Sequence, residues 1–184
     1  MTMKGVFQSN AGKLRDAIVK DDVLAADRLV RDVAAYRLWN LLDKKIAAAM
    51  SPQMAAVLTG AKGAAHQYNN GDVTPFLHVM TKLLEANNIP ALDVIIRKEK
   101  PYFNGWDGTE AMLRVVLSPI ADTDRLRYLS QMLENGHDKM TFPERAVAFA
   151  LNRGLRDVVS FFALKGLQHT PERPRILQPE REFR

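Results

Sequence analysis

The sequence contains no cysteine among its 184 residues. Disulfide bonds and thiolate metal sites are therefore excluded, which fits a reducing compartment. Long apolar runs are also missing, because no stretch approaches the roughly 20 residues that a membrane-spanning helix needs. The first residues lack the apolar run of a secretory signal as well. We therefore expect a cytoplasmic protein, with the host cytosol as the alternative if the chain is an effector delivered by a specialised secretion machine.

Acidic residues are fewer than basic ones, 21 against 26. A basic protein can bind a polyanion such as a nucleic acid, so this class of partner has to be considered. The net charge is +5 and the sequence pI is ≈ 9.6. The basic excess is spread over residues 1–50 and 151–184, and residues 101–150 carry seven acidic against five basic side chains. No basic block comparable to a nucleic-acid-binding arm is present. A nucleic-acid-binding helical repeat protein is therefore the alternative, and we favour a mixed, solvated surface.

Patterns that would support catalysis are absent too. The four histidines lie at expected turns or helix starts, and none is spaced with serine and aspartate as a nucleophile and its base require. No two of them share a helix face with a carboxylate, as zinc ligands would. Neither glycine cluster completes a phosphate-binding pattern. The sequence therefore predicts no enzymatic activity, no cofactor and no metal site. The histidines are His66, His78, His137 and His169.

What the sequence does contain is a series of short helical stripes that occur in pairs, most clearly in residues 107–139. Asp107–Gly108 predicts a turn and Thr109 an N-cap. The helix that follows is expected to end just before Pro119, which disfavours the α conformation in the residue preceding it. A second apolar stripe predicts a partner helix that ends at Gly136. Two such short helices cannot bury both apolar faces alone, which favours one copy of a stacked repeat.

Similar pairs are predicted elsewhere in the chain. Apolar stripes within residues 10–33 predict two helices with a polar break between them, and Leu24 is expected in the second stripe. One helix is expected across Leu38 to Ile46. Ser51–Pro52 and Thr74–Pro75 have the N-cap and first-turn pattern that starts a helix.

The pairs recur at a nearly constant distance. From Leu77 to Leu113 is 36 residues and from Leu113 to Val147 is 34, which indicates an internal repeat. Four segments resemble parts of the ankyrin repeat, and the degenerate array is similar to ankyrin-like proteins of bacterial or viral type. These segments are TPFLH at 74–78, DG followed by T at 107–109, LENGHD at 133–138 and ALNRGLRDVVSFFALKG at 150–166.

The ankyrin resemblance covers residues 10–167 and implies an all-α, ankyrin-like solenoid of about five stacked helix-turn-helix repeats. An N-terminal arm, residues 1–9, precedes the array. A flexible C-terminal tail, residues 168–184, follows it, because its three prolines do not continue a helix.

The resemblance also implies a non-enzymatic module that binds, and inhibits or recruits, another protein through inter-repeat turns and a concave face. Tyr and Trp side chains anchor interfaces, and three aromatic residues fall where a projecting turn is expected. The alternative for Phe103 and Trp106 is that they fold back over neighbouring helix ends. The expected turn contacts are Tyr102, Phe103, Trp106, His137 and Lys139, with Arg114 and Arg145 behind them on first helices.

A further alternative is a secreted effector or adaptor that acts through its C-terminal tail. In that case Ile176–Leu177 and Phe183, which lie among prolines and arginines, would form a short docking motif.

Overall fold

The computed structural model describes residues 9–33, 40–60, 74–99, 105–136 and 143–167. All regular secondary structure in these ranges is α-helical, so the predicted all-α class is confirmed. No helix in these ranges combines the length and the apolar character that crossing a membrane requires. The expected tail, residues 168–184, and residues 1–8 of the expected arm lie outside the described residues.

Ten helices are bounded within the described ranges, and residues 40–41 are also helical. They are α1 (Asn10–Val19), α2 (Val23–Val30), α3 (Lys44–Ala49), α4 (Pro52–Thr59), α5 (Pro75–Ala86), α6 (Ile89–Glu99), α7 (Gly105–Leu117), α8 (Asp122–Gly136), α9 (Glu144–Asn152) and α10 (Arg156–Leu164).

The helices pack in pairs that are consecutive in the chain. Helix α1 contacts α2, α5 contacts α6, α7 contacts α8, and α9 contacts α10. Like members of successive pairs also contact each other: α3, α5, α7 and α9 form one row, while α2 contacts α4, α4 contacts α6, and α8 contacts α10. One hydrophobic core runs through these contacts from Leu14 to Leu167. Each pair thus buries its apolar stripes against its neighbours as well as within itself.

The predicted helix starts at Ser51 and Thr74 are confirmed by their hydrogen bonds. The Ser51 hydroxyl accepts from the Met54 amide at 3.1 Å, and the Thr74 hydroxyl accepts from the Leu77 amide at 3.4 Å. A proline follows each cap at the first helical position, where its missing amide proton costs nothing. Local sequence therefore determines where α4 and α5 begin.

Three of the pairs share one turn geometry between their helices. Asp21, Asn87 and Gly154 have positive φ angles of 53°, 55° and 66°. In each turn the next amide donates to the carbonyl five residues before it, at 2.9, 3.0 and 3.0 Å. This is the bond pattern of a helix that ends in a left-handed residue. From 21 to 87 is 66 residues and from 87 to 154 is 67. With the consecutive helices α3 and α4 counted as the second of five pairs, the same turn returns after every second pair.

The predicted start of α7 is wrong. Asp107 and Gly108 are helical rather than a turn, and Thr109 lies inside the helix, which begins at Gly105. Gly108 and Thr109 are both buried. Their burial against the core outweighs the weak local preference of these residues for a turn.

The helix predicted across Leu38 to Ile46 is also wrong, because it is interrupted. The helical segment at residues 40–41 stops before Leu42, and a new helix, α3, begins at Lys44. Asp43 is the reason for the break, since its carboxylate accepts from the Ile46 amide at 2.8 Å as an N-cap. Leu24, expected in the apolar stripe of α2, is largely exposed to solvent.

Candidate functional site

Most of the predicted turn contacts lie outside the described residues. These are Tyr102, Phe103, His137 and Lys139. Trp106 was expected in the connection between two units, but its backbone belongs to the first turn of α7. The helix starts earlier than the sequence suggested, so the prediction that Trp106 lies in a projecting turn is wrong.

Arg145, predicted as a contact on a first helix, forms an ion pair that bridges α9 and α7. Its Nη1 atom lies 3.3 Å from Oε1 of Glu110, and the two side chains are 39% and 21% exposed. Phe149 follows one turn later on α9 and is 39% exposed. Residues four apart lie on the same side of a helix. Phe149 therefore extends the solvent-facing side that the ion pair occupies.

Arg114, the other predicted first-helix contact, lies one turn after Glu110 on α7. It lines a cleft of about 170 Å³ between α5 and α7. The cleft connects the solvent-facing sides of these two helices, which contact each other in the core. Its other lining residues are Thr81, Leu84 and Glu85 of α5 and Leu117, Ser118 and Pro119 at the end of α7.

The guanidinium of Arg114 has no internal counterion in the described ranges. Its Nε atom is buried and has no hydrogen-bond partner there. The nearest acidic wall residue, Glu85, instead pairs with Lys82 at 3.0 Å. An unmet buried donor costs about 1 to 3 kcal/mol, and more on a charged group. Among the described residues, nothing therefore offsets the charge of Arg114.

We call the exposed and half-buried side chains of α5, α7 and α9 around the Arg145–Glu110 ion pair and the cleft at Arg114 the first-helix face. The Arg145–Glu110 ion pair joins α9 to α7, and the cleft at Arg114 joins α7 to α5. Leu117 is 40% exposed and lines the cleft. The face comprises Lys82, Glu85, Glu110, Arg114, Leu117, Arg145 and Phe149.

The rim of the cleft is held in place by Arg125 of α8, which the sequence analysis missed. Arg125 is buried, and its Nη2 atom donates to the carbonyls of Ser118 and Ile120 at 2.9 and 3.0 Å. Its Nη1 atom pairs with Asp122. Burial lowers the pKa of Arg125 from its ordinary value, while these partners satisfy both terminal nitrogens. Arg125 thus fixes the connection that contains Pro119.

Two sequence signals identify the residues of the face that the analysis missed. Glu110 and Arg114 are four residues apart, as are Arg145 and Phe149, so each pair occupies one side of a helix. Glu85 lies three residues after Lys82 and carries the opposite charge. The sequence does not show which of these charged side chains form ion pairs between helices.

A wider cleft of about 320 Å³ lies between the start of α8 and the turn that connects α9 to α10. It is lined by Asp122 and residues 154–158. The N-terminus of α10 is here, and a helix N-terminus favours anions. However, the carboxylates of Asp122 and Asp157 line the same cleft and would repel an anion, which disfavours anion binding there. Within the described residues, no group of three or more His, Asp or Glu side chains is arranged to hold a metal ion.

Comparisons of the chain with protein-family models, with curated proteins and with solved structures each gave no match. A proposal about function therefore rests on the residues and geometry described above.

Proposed function

We propose that the chain is a non-enzymatic protein-binding module built as an ankyrin-like array of about five helix pairs. The contacts between like helices of successive pairs support this architecture. The recurring left-handed turn supports it as well. Each interval between Asp21, Asn87 and Gly154 spans two pairs, so one pair takes about 33 residues, the length of an ankyrin repeat.

The observation that carries the proposed function is the composition of the first-helix face. Leu117 and Phe149 expose apolar surface on neighbouring helices, and Arg114, in the cleft between α5 and α7, has no ion pair among the described residues. Protein interfaces are enriched in aromatic residues and arginine and depleted of other charged residues at their centre. Rows of equivalent helices in a repeat array provide extended binding surfaces of this kind.

The charges on the face favour a protein partner over a nucleic acid. Glu85 and Glu110 lie among Lys82, Arg114 and Arg145, and two of these three cations are already paired. A surface that binds the phosphate backbone would have to neutralise several phosphates with free cations. Tyr102, Phe103, Trp106, His137 and Lys139 belong to this proposal as further partner contacts.

The test starts with affinity capture from the native host, followed by mass spectrometry and by calorimetry with the purified partner. Leu117→Asp is expected to weaken partner binding at least about tenfold, since it places a charge in the interface. Leu164→Asp is the matched control, because Leu164 is 87% exposed but lies on α10, outside the face. Equal affinities of wild type and L117D for the partner, with both folded, would show that binding occurs elsewhere.

A further inference from the structure

We infer that Arg114 is the anchor for a carboxylate on the partner, and that the partner segment carries this acid next to an apolar residue. The inference rests on the proposed protein-binding function and adds the chemistry of the bound segment. It is carried by the contrast between Arg114 and the other cations of the first-helix face.

Each of the other cations on the face has a carboxylate partner. Lys82 pairs with Glu85 at 3.0 Å, and Arg145 pairs with Glu110 at 3.3 Å. Arg114 has no ion pair within the described part of the chain, and its buried Nε lacks an acceptor. A guanidinium binds a carboxylate through two parallel N–H···O bonds. Within the described residues nothing offsets the charge of this guanidinium, and a partner carboxylate would do so.

The size of the cleft indicates a single side chain as its occupant. Pockets for drug-sized molecules and cofactors measure about 300 to 1,000 Å³. The cleft at Arg114 measures about 170 Å³. It is therefore too small for a cofactor, and a protruding side chain of a bound protein segment fits this volume.

The walls of the cleft determine what accompanies the carboxylate. Leu84 forms its floor, and Leu117 and Pro119 are exposed at its rim. Burying apolar surface of the partner against these residues favours binding. An aliphatic or aromatic residue beside the acid would cover Leu117 while the acid reaches Arg114.

A carboxylate fits the site better than a phosphate group. Glu85 lies in the cleft wall, where it pairs with Lys82 at 3.0 Å. A phosphate carries up to two negative charges at neutral pH and would be repelled by Glu85 more strongly than a carboxylate. One guanidinium without an ion pair in the described ranges matches a single negative charge.

The experiment selects peptides from a random library displayed on phage, with the full chain as bait. We expect the selected peptides to share Asp or Glu next to an aliphatic or aromatic residue. A synthetic copy of the best peptide and its amide analogue, with Asn or Gln in place of the acid, are then titrated by calorimetry. The amide analogue and the Arg114→Gln variant should each bind about tenfold more weakly than the native pair.

A double-mutant cycle shows whether the acid contacts Arg114. If it does, the amide peptide should bind R114Q little more weakly than it binds the wild type. Arg114→Lys keeps the charge but loses the planar fork, so an intermediate loss is expected, and this variant replaces R114Q if the latter unfolds. Arg31→Gln is the matched control: Arg31 follows α2, outside the first-helix face, and forms an exposed ion pair with Asp27, so its replacement should leave affinity unchanged.

Several outcomes would overturn the inference. These are selected peptides without a shared acid, additive effects in the cycle, and displacement of the peptide by inorganic phosphate at concentrations where acetate has no effect. If the peptides lack the acid but L117D still abolishes their binding, the proposed function stands and the role of Arg114 does not. If no selected peptide depends on the first-helix face, both are wrong.

Discussion

Tyr128 of α8 is fully buried, and its hydroxyl donates a hydrogen bond of 2.8 Å to Oδ1 of Asp93 on α6. Nη1 of Arg127 reaches the same carboxylate oxygen at 2.8 Å, and its guanidinium lies 4.6 Å from the centre of the Tyr128 ring. These contacts connect second helices of the third and fourth pairs. Burial, and then the hydrogen bond to Asp93, raise the pKa of Tyr128 above its ordinary value of 10.0.

The raised pKa of Tyr128 predicts an alkaline loss of stability. The unfolded phenol releases its proton near pH 10 and the folded phenol only at higher pH, so the unfolded state binds fewer protons above that pH. The stabilisation is therefore complete below about pH 10 and declines above it, by up to about 1.4 kcal/mol per pH unit. Urea unfolding of the wild type and Tyr128→Phe between about pH 8 and pH 11 measures this.

Groups other than Tyr128 titrate in both proteins, so their contributions cancel when the stability of Y128F is subtracted from that of the wild type. The difference in unfolding free energy between wild type and Y128F is expected to be constant up to about pH 9.5 and then to shrink. At neutral pH the variant should be less stable by about 1 kcal/mol, the usual net value of one hydrogen bond. Parallel stability curves across the alkaline range would mean that the phenol is equally solvated in both states.

Much of the fold follows from local sequence signals. The helix starts at Ser51–Pro52 and Thr74–Pro75, and the end of α7 before Pro119, agree with the structure because each depends on a cap or a proline within one turn. The start of α7 does not, since Gly108 and Thr109 are buried by contacts that are distant in sequence. Local preferences of small polar residues are weak against such burial.

The candidate site could be predicted only in part, for a related reason. The sequence placed Arg114 and Arg145 on first helices, and the structure agrees. It could not distinguish them, because the partner of Arg145 is Glu110 on another helix, 35 residues away. Whether a surface cation is paired depends on how helices that are distant in sequence pack, and helical periodicity does not encode it.

A substitution at Gly154 tests whether the turn between α9 and α10 is equivalent to the turn between α5 and α6, which contains Asn87. Its φ is +66°, and no atom lies within 4 Å of the position that a Cβ would occupy. Alanine would therefore meet no clash, and its cost is the left-handed backbone alone. We expect Gly154→Ala to lower the unfolding free energy by about 1 kcal/mol, measured by urea denaturation.

Asn87 provides the reciprocal change in the turn between α5 and α6. Its φ is 55°, so Asn87→Gly relieves the same backbone penalty. This variant is expected to be as stable as the wild type or more stable, by up to about 1 kcal/mol. A neutral G154A together with a destabilised N87G would contradict the equivalence of the two turns.

Asn88 links the second and third pairs and is buried. Its Nδ2 atom donates to the carbonyls of Ala47 and Met50 at 2.8 and 2.9 Å, and its Oδ1 atom accepts from the Ala91 amide at 3.2 Å. Asn88→Ala removes an N-cap and leaves two carbonyls without their donor. We expect a loss of about 3 kcal/mol in the unfolding free energy.

Asn88→Ser separates the two roles of this side chain. Serine still caps α6 but cannot reach both carbonyls, so it should recover only the cap, about 1 kcal/mol. Urea denaturation of the wild type and both variants gives the comparison. If N88A cost less than about 1 kcal/mol, the bonds from Asn88 to α3 would not contribute to holding the two pairs together.

Arg114 and Arg145 are expected to respond in opposite ways when each is replaced by methionine. Arg114→Met removes a buried donor that lacks an acceptor and keeps the apolar stem, so the variant should match or exceed the wild type, by up to about 1 kcal/mol. Arg145→Met breaks the ion pair with Glu110, which is partly exposed, and should cost less than about 1 kcal/mol. Thermal and urea unfolding measure both.

The change in unfolding free energy caused by Arg114→Met shows whether Arg114 stabilises the fold or serves binding at the expense of stability. Binding residues often cost stability because their polar groups are satisfied only in the complex. R114M should therefore keep its stability and lose affinity for acidic peptides, while R145M should lose a little stability. If R114M were less stable than the wild type by more than about 1 kcal/mol, the guanidinium would be stabilising the contact between α5 and α7 instead.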